Sequence, residues 1–198
     1  MKVSMTCTDL SRNSLLRVYP FAKVIGEEHE VEVVGPVKKL GIYPPVRNDK
    51  DVKYVSLPTR TVFPFYLKTL RDVKSKLDGD IIHAFKPTFQ SFLPALMKKK
   101  KVVLDIDDWE SQYVVDAFLS ANPLDVAKFC LVDAYVPESY FVKKIIEKQI
   151  AKANAVITSS KTLQRKFGGT WIPTGPNTEY FNPENFNGKK IREEFGLQ

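Results

Sequence analysis

The run Lys101-Val102-Val103-Leu104-Asp105-Ile106 limits the possible folds of this chain more than any other feature. It is apolar at both odd and even positions, so a strand built from it must be covered on both faces. Sheets covered on both faces are parallel sheets with helices above and below. The rest of the chain fits that architecture, because strand-like and helix-like segments alternate from the first residue. Residues 3–7, 30–34, 52–57, 80–84, 155–158 and 170–172 read as further strands. Residues 14–25 read as a helix that stops at Gly26, and Pro20 inside it implies a kink or a late start. Residues 61–77 give the clearest amphipathic helix, with Phe63, Tyr66, Leu67, Leu70, Val73 and Leu77 on one face. Shorter helices are expected around Phe92–Met97, at 124–135, at 140–153 and at 161–167. This order predicts an α/β domain with an open, mainly parallel, Rossmann-like sheet and helices on both faces.

The domain is expected to span residues 1–173. After Pro173 the composition turns to Gly, Pro and Asn, so residues 174–198 read as a hinge or linker. A short charged helix at 189–198 has no strand after it, as if a further domain followed.

The chain has 198 residues, enough to bury a core without disulfides. Cys7 and Cys130 lie far apart, in no metal-ligand spacing, and read as buried free thiols of a reducing compartment. Residues 1–6 lack a long apolar core and read as a strand rather than a leader. No apolar stretch reaches the length of a membrane span. A cytoplasmic protein is expected, with contact to the inner face of a membrane. The net charge of +7 favours anionic partners. Nothing in the sequence resembles a nucleic-acid-binding motif, and none is expected.

In open parallel sheets, ligands bind at the carboxyl ends of the strands. The unusual polar residues of this chain fall there. Thr8, Asp9, Ser11, Arg12 and Asn13 follow the first strand, with Arg17 one helical turn further on. His83, Lys86 and Pro87 end the fourth strand. Asp105, Asp107, Asp108, Trp109 and Glu110 end the fifth. Carboxylates at a strand end can take a proton from a hydroxyl, hold a magnesium ion, or attack a phosphoryl group. They can also simply cap the next helix. Lys98-Lys99-Lys100-Lys101 reads as a solvated helix end or as a contact for anionic lipids, together with the basic helix at 61–77.

Four segments resemble the N-terminal domain of the large retaining group 1 (family 4) glycosyltransferases. The first is Ser14-Leu15-Leu16-Arg17-Val18-Tyr19-Pro20 followed by Glu28-His29-Glu30-Val31-Glu32-Val33-Val34. The second is Asp80-Ile81-Ile82-His83-Ala84-Phe85-Lys86-Pro87. The third is the stretch VVLDIDDWE at 102–110. The most specific is the run from Glu147 through Ala155-Val156-Ile157-Thr158-Ser159-Ser160 to WIPTGPNTEYFNP and REEFGL. These families have the GT-B fold of two facing Rossmann-like domains. The resemblance implies sugar transfer from a nucleotide-sugar donor with retention and no obligatory metal or cofactor. It also implies an acceptor, sugar or lipid-linked, bound by the first domain, with a C-terminal domain as partner for the nucleotide. Thr8–Asn13 lacks the glycines that often approach donor phosphates in that family, and Asp107 stands where many members have His.

On this resemblance Asp107 and Asp108 are expected at the acceptor hydroxyls. Arg17 and Lys86 are expected at charged parts of donor or acceptor, and Gly175 at a close backbone approach in the hinge. His83, Ser11, Asn13 and Trp109 complete the expected substrate-binding set. Two other readings fit the residues. One is a non-catalytic binding or docking domain from a split gene. The other is a haloacid-dehalogenase-type phosphatase with Asp105 as nucleophile and Asp107 as acid and base.

Overall fold

The computed structural model describes residues 1–39, 41–60, 64–122, 124, 139–175, 182–185 and 187–197. The expected helix at 124–135, Cys130, Phe63, Pro176 and Asn177 lie outside the described residues, wholly or in large part. The strands are β1 (Lys2–Thr6), β2 (Glu30–Val37), β3 (Lys53–Pro58), β4 (Ile81–Phe85), β5 (Lys101–Ile106), β6 (Ala155–Thr158) and β7 (Thr170–Trp171). They form one sheet in the order β3-β2-β1-β4-β5-β6-β7. Every neighbouring pair is parallel. The helices are α1 (Leu15–Gly26), α2 (Tyr66–Lys76), α3 (Phe92–Leu96), α4 (Glu110–Leu119), α5 (Tyr140–Glu147), α6 (Lys161–Phe167) and α7 (Gly188–Glu194).

Strand alternation sorts the side chains onto two cores. Ile82 and Ala84 of β4 and Val102, Leu104 and Ile106 of β5 pack with residues of α2, α3, α5 and α6. Val3 and Met5 of β1 and Phe85 of β4 pack on the other face with Leu15, Val18 and Ala22 of α1 and with Val46 and Val52. The expected sheet and its double cover are therefore present. Cys7 is buried and free, as expected, and burial pushes its thiol up to about 11.

Several local expectations are corrected. β2 does not stop before Gly35-Pro36 but runs on to Val37. Pro36 pairs with Leu57 of β3, and its carbonyl accepts the Leu10 N–H at 2.8 Å. Gly35 makes this possible, because a Cβ there would lie 2.6 Å from the Cys7 carbonyl oxygen. On α2, Leu70, Val73 and Leu77 are buried, but Leu67 is exposed and Thr69 takes the inward position. The α-helix expected to reach residue 153 ends at Glu147, and a 3-10 turn, Ile150–Lys152, follows. The acidic cluster leads into α4 with Glu110 in its first turn, as the capping alternative expects, although the extent of this helix was not marked in the sequence pattern. α7 buries none of its residues.

Candidate functional site

The strand order reverses direction between β1 and β4, so this is the switch point where a crevice opens at the carboxyl edge. Thr8 follows β1 and Thr88 follows β4, and their hydroxyls meet at 3.0 Å. A cavity of about 570 Å³ lies here. That size suits a small-molecule site. Thr8, Asp9, Arg12 and Ser14 line it from the loop after β1, and Pro36 and Lys38 from β2 and the turn beyond. Thr59, Arg60 and Thr69 come from β3 and α2, and Lys86, Thr88, Gln90 and Glu110 from the turns after β4 and β5.

Lys86 is the central side chain of one wall. Its Nζ faces Asp107 at 3.3 Å, Glu110 at 3.2 Å and Asp108 in a short hydrogen bond. Burial works against its charge, but Asp107, Glu110 and Asp108 outweigh it and hold the ammonium above the ordinary lysine range. The backbone of Lys86 has a φ of 67°, in the left-handed region that non-glycine residues avoid. The fold holds it there through the Lys86 N–H to the Asp105 carbonyl and the Thr88 N–H to the Lys86 carbonyl, both 2.8 Å. Such strain, on the order of 1–3 kcal/mol, is characteristic of sites where position matters.

Asp107 and Asp108, the two expected catalytic carboxylates, thus converge on one lysine. Asp108 also accepts the Tyr113 hydroxyl at 3.1 Å. Asp107 is less occupied. Its Oδ1 is closed from solvent and makes no hydrogen bond, its Lys86 contact being off-angle. Burial pushes its pKa up to about 6, Lys86 opposes this, and the nearby Asp108 charge adds to it. A carboxylate near 6 is suited to take a proton close to neutral pH.

Arg17 and His83 are placed differently from the expectation. Both are buried, Arg17 on the inner side of α1 and His83 on β4, and both approach the Asp105 carboxylate of β5. The Arg17 Nε lies 3.0 Å from each Asp105 oxygen and its Nη2 lies 2.8 Å from Oδ1. Nη2 also donates to the Ile172 carbonyl at 3.0 Å and Nη1 to Thr174 Oγ1 at 2.7 Å. The guanidinium is therefore a clamp inside the domain. Burial pushes Asp105 upward and Arg17 pulls it back down. The phosphatase reading needs Asp105 to reach a phosphoryl group, but its carboxylate is sealed at 1% exposure and held by Arg17.

His83 packs edge-on against Phe21 at 5.4 Å, and its Nε2 has no hydrogen-bond partner. The 3.9 Å to Asp105 is too long for a hydrogen bond. Burial, helped by the Arg17 charge, lowers its pKa from 6.5 to about 4, so the ring is neutral near pH 7. The unfolded chain takes up a proton in this window that folded His83 refuses. Its contribution to stability is complete above 6.5 and is lost as pH falls through about 4. The loss is on the order of 3 kcal/mol. A His83→Gln variant should show a shallower fall of the urea midpoint across that window. An equally steep fall would place the titration elsewhere.

The remaining expected residues are spread out. Ser11 is engaged in the loop, its N–H donating to Asp9 Oδ1 at 2.9 Å and its Oγ accepting the Lys38 N–H at 2.7 Å. Asn13 is exposed. Trp109 packs on the core, donates to Ser111 Oγ at 2.9 Å, and carries Lys166 Nζ 3.8 Å from its ring centre. Gly175 is exposed, with nothing within 4 Å of the place a side chain would occupy. Lys38, Arg60, Thr88 and Gln90 were missed. Lys38 and Arg60 follow strands, so the rule that found the others could have found them. A second groove, of about 610 Å³, runs between α3 and α5, lined by Leu93, Met97, Val142, Ile145 and Ile146 and edged by Lys100 and Lys152.

No family model matches the chain, and no curated protein matches it in sequence. Solved structures do match. A Listeria monocytogenes protein assigned as a UDP-N-acetylglucosamine 2-epimerase is 14% identical over 84% of this chain and 40% of its own, with a TM-score of 0.53. Phytolacca americana UGT2, solved with UDP-2-fluoro-glucose and pterostilbene, is 14% identical over 88% of this chain and 54% of its own, with a TM-score of 0.52. Glycyrrhiza uralensis UGT73P12, solved with glycyrrhetinic acid 3-O-monoglucuronide, is 11% identical over 92% of this chain and 50% of its own, with a TM-score of 0.51. The chain thus spans about half the length of these structures, between 40% and 54%. The likeness is one of fold: a Rossmann-like half of the two-domain GT-B arrangement.

Proposed function

We propose that this chain is the acceptor-binding half of a glycosyltransferase that moves a sugar from a nucleotide donor. The observation that carries the reading is the cavity at the β1–β4 switch point, lined by Lys86, whose ammonium lies 3.3 Å from Asp107 with its raised pKa. A fold shared with a UDP-sugar-bound neighbour supports it. In this reading Asp107 takes the proton of the attacking acceptor hydroxyl. Lys86 and Asp108 position Asp107, and Gly175 leaves the hinge backbone open to the donor. A second domain binds the nucleotide, the nucleoside diphosphate leaves with the bonding electron pair, and the retention that the family 4 resemblance implies places the attacking hydroxyl on the same face of the sugar as that leaving group. Both walls of such a cleft are needed to stabilise the transition state, so residues 1–198 alone should transfer negligibly.

The test is a mass-spectrometric screen of the natural protein carrying this chain, with a panel of nucleotide sugars and acceptors. Transfer that disappears in Asp107→Asn supports the reading. Nucleotide sugars left intact across the panel, or full-rate transfer by residues 1–198, would overturn it.

Docking on an anionic bilayer is a second, compatible reading, favoured by the groove between α3 and α5. Met97, Phe141 and Ile145 expose apolar side chains beside it, at 43%, 53% and 60%. Lys100 and Lys152 edge the groove, Lys99, Lys101 and Lys148 are exposed and adjacent to its lining in sequence, and Glu147 is already engaged with Lys144 and Ser111. Apolar side chains ringed by lysines suit an anionic headgroup layer. Vesicles of phosphatidylcholine and phosphatidylglycerol should sediment the protein at low salt and release it at high salt. Phe141→Ser with Ile145→Ser should abolish this, and absence of binding at low salt would remove the reading.

A further inference from the structure

Charge is unevenly distributed around the switch-point cavity. At one end, Arg12 Nε and Lys38 Nζ converge on the single carboxylate of Asp9, at 3.5 and 3.2 Å. One carboxylate balances one of these cations and leaves a positive charge over. Asp9 is itself fixed by the Ser11 N–H, whereas Arg12 and Lys38 keep 67% and 42% of their side chains exposed. They can close on a ligand without giving up a buried contact. Arg60, on the adjoining wall, is balanced by Asp72 at 3.1 Å.

The other end has no such surplus. Lys86 and Glu110 line it and pair at 3.2 Å, and Lys86 is held further by Asp107 and Asp108, which are not among the lining residues. Gln90 also lines the cavity, and its Oε1 is closed from solvent and has no hydrogen-bond partner. A buried acceptor left unpaired costs about 1–3 kcal/mol, so it is a place where a ligand hydroxyl gains by binding. The paired hydroxyls of Thr8 and Thr88 add lone pairs nearby.

We infer that the cavity takes a polyhydroxylated ligand bearing one anionic group, a sugar monophosphate in its simplest form. The anionic group lies between Arg12 and Lys38, a sugar hydroxyl meets Gln90 Oε1, and the far hydroxyls approach the Lys86 wall. This rests on the acceptor-binding reading above and gives the acceptor its chemical class. The uncompensated positive charge lies at the Arg12 and Lys38 end, so the anionic group is drawn to that end.

The probes are glucose 6-phosphate, glucose, inorganic phosphate and UDP, each titrated into the protein and followed by calorimetry and amide NMR shifts. Glucose 6-phosphate should bind at least about tenfold more tightly than glucose or phosphate, as a charge-assisted contact implies. Arg12→Gln with Lys38→Gln should remove that advantage and leave glucose binding unchanged. Both side chains are exposed, so the variant should fold, and circular dichroism checks this. Gln90→Leu should weaken both sugars and leave phosphate alone. The inference is overturned if glucose 6-phosphate binds no better than inorganic phosphate, or if the double variant binds it equally well. It is also overturned if UDP alone depends on Arg12 and Lys38, which would assign them to a donor diphosphate. Binding of the sugar phosphate without any transfer would remove the transferase reading and leave the subsite. Transfer by the double variant at full rate would do the reverse.

Discussion

Arg17→Met should destabilise the domain by about 3–5 kcal/mol, the usual cost of stripping the partner from a buried charge. The physical reason lies in the two faces of β5. Val102, Leu104 and Ile106 point to one core, and Asp105 points to the other, beneath α1. Asp105 keeps 1% exposure and has Arg17 as its partner through three short nitrogen–oxygen contacts. Methionine fills much of the same volume but offers no donor, so the carboxylate must either stay charged without water or take up a proton. Two carboxyl-edge contacts, to Ile172 and Thr174, disappear as well. The double variant Arg17→Met, Asp105→Leu should recover a large part of the loss, because replacing a whole buried pair by apolar groups is often neutral. Urea denaturation of the three proteins measures both effects. A loss under about 1 kcal/mol in the single variant would mean that Asp105 finds water once Arg17 is gone.

On the transferase reading proposed above, Asp107→Asn should lower the transfer rate of the natural protein by about 10²–10⁴, the usual contribution of a positioned base. The pH profile separates this from a merely structural effect. Asp107 titrates at about 6, and only its ionised form can take a proton, so the rate should fall as pH drops through that value. Asparagine has no such titration, and the acid limb should vanish from kcat/KM. The same raised pKa has the opposite effect on folding. The contribution of Asp107 to stability is complete below 3.8 and is lost as pH rises through about 6. A variant that keeps the acid limb would assign the proton transfer to another group.

The strand pattern was readable because burial on two faces keeps most strand positions apolar, with Ser4, Thr6, Glu32, His83 and Asp105 as the buried polar exceptions. β5, β6 and α6 have the limits expected from their apolar runs and from Ser160, whose hydroxyl caps α6 by accepting the Leu163 N–H. The end of β2 was hidden, since Gly35-Pro36 ordinarily marks a turn. Here the same glycine admits the Cys7 carbonyl to within a distance that any Cβ would forbid. The site was readable as residue types at strand ends, but not as directions. His83 and Lys86 look equivalent in the sequence. Alternation along β4 turns His83 inward beside Phe85, whereas Lys86, past the strand, faces the cavity. Arg17 was misplaced for the same reason, because a helix position does not reveal a charge buried on the strand below. Lys38 and Arg60 follow β2 and β3 and were within reach of the strand-end rule, but that they share one cavity with the loop after β1 depends on the order β3-β2-β1, which local sequence does not show.

The Arg17 clamp also has a mechanical consequence. One guanidinium holds the middle of the sheet, through Asp105, and the backbone that leaves it, through Ile172 and Thr174. The next residue, Gly175, touches nothing on its open side. The outgoing chain is therefore tied to the sheet as far as Thr174. The carboxyl end of β5 and the segment that leaves β7 share one fastening, so loosening it at either end loosens both.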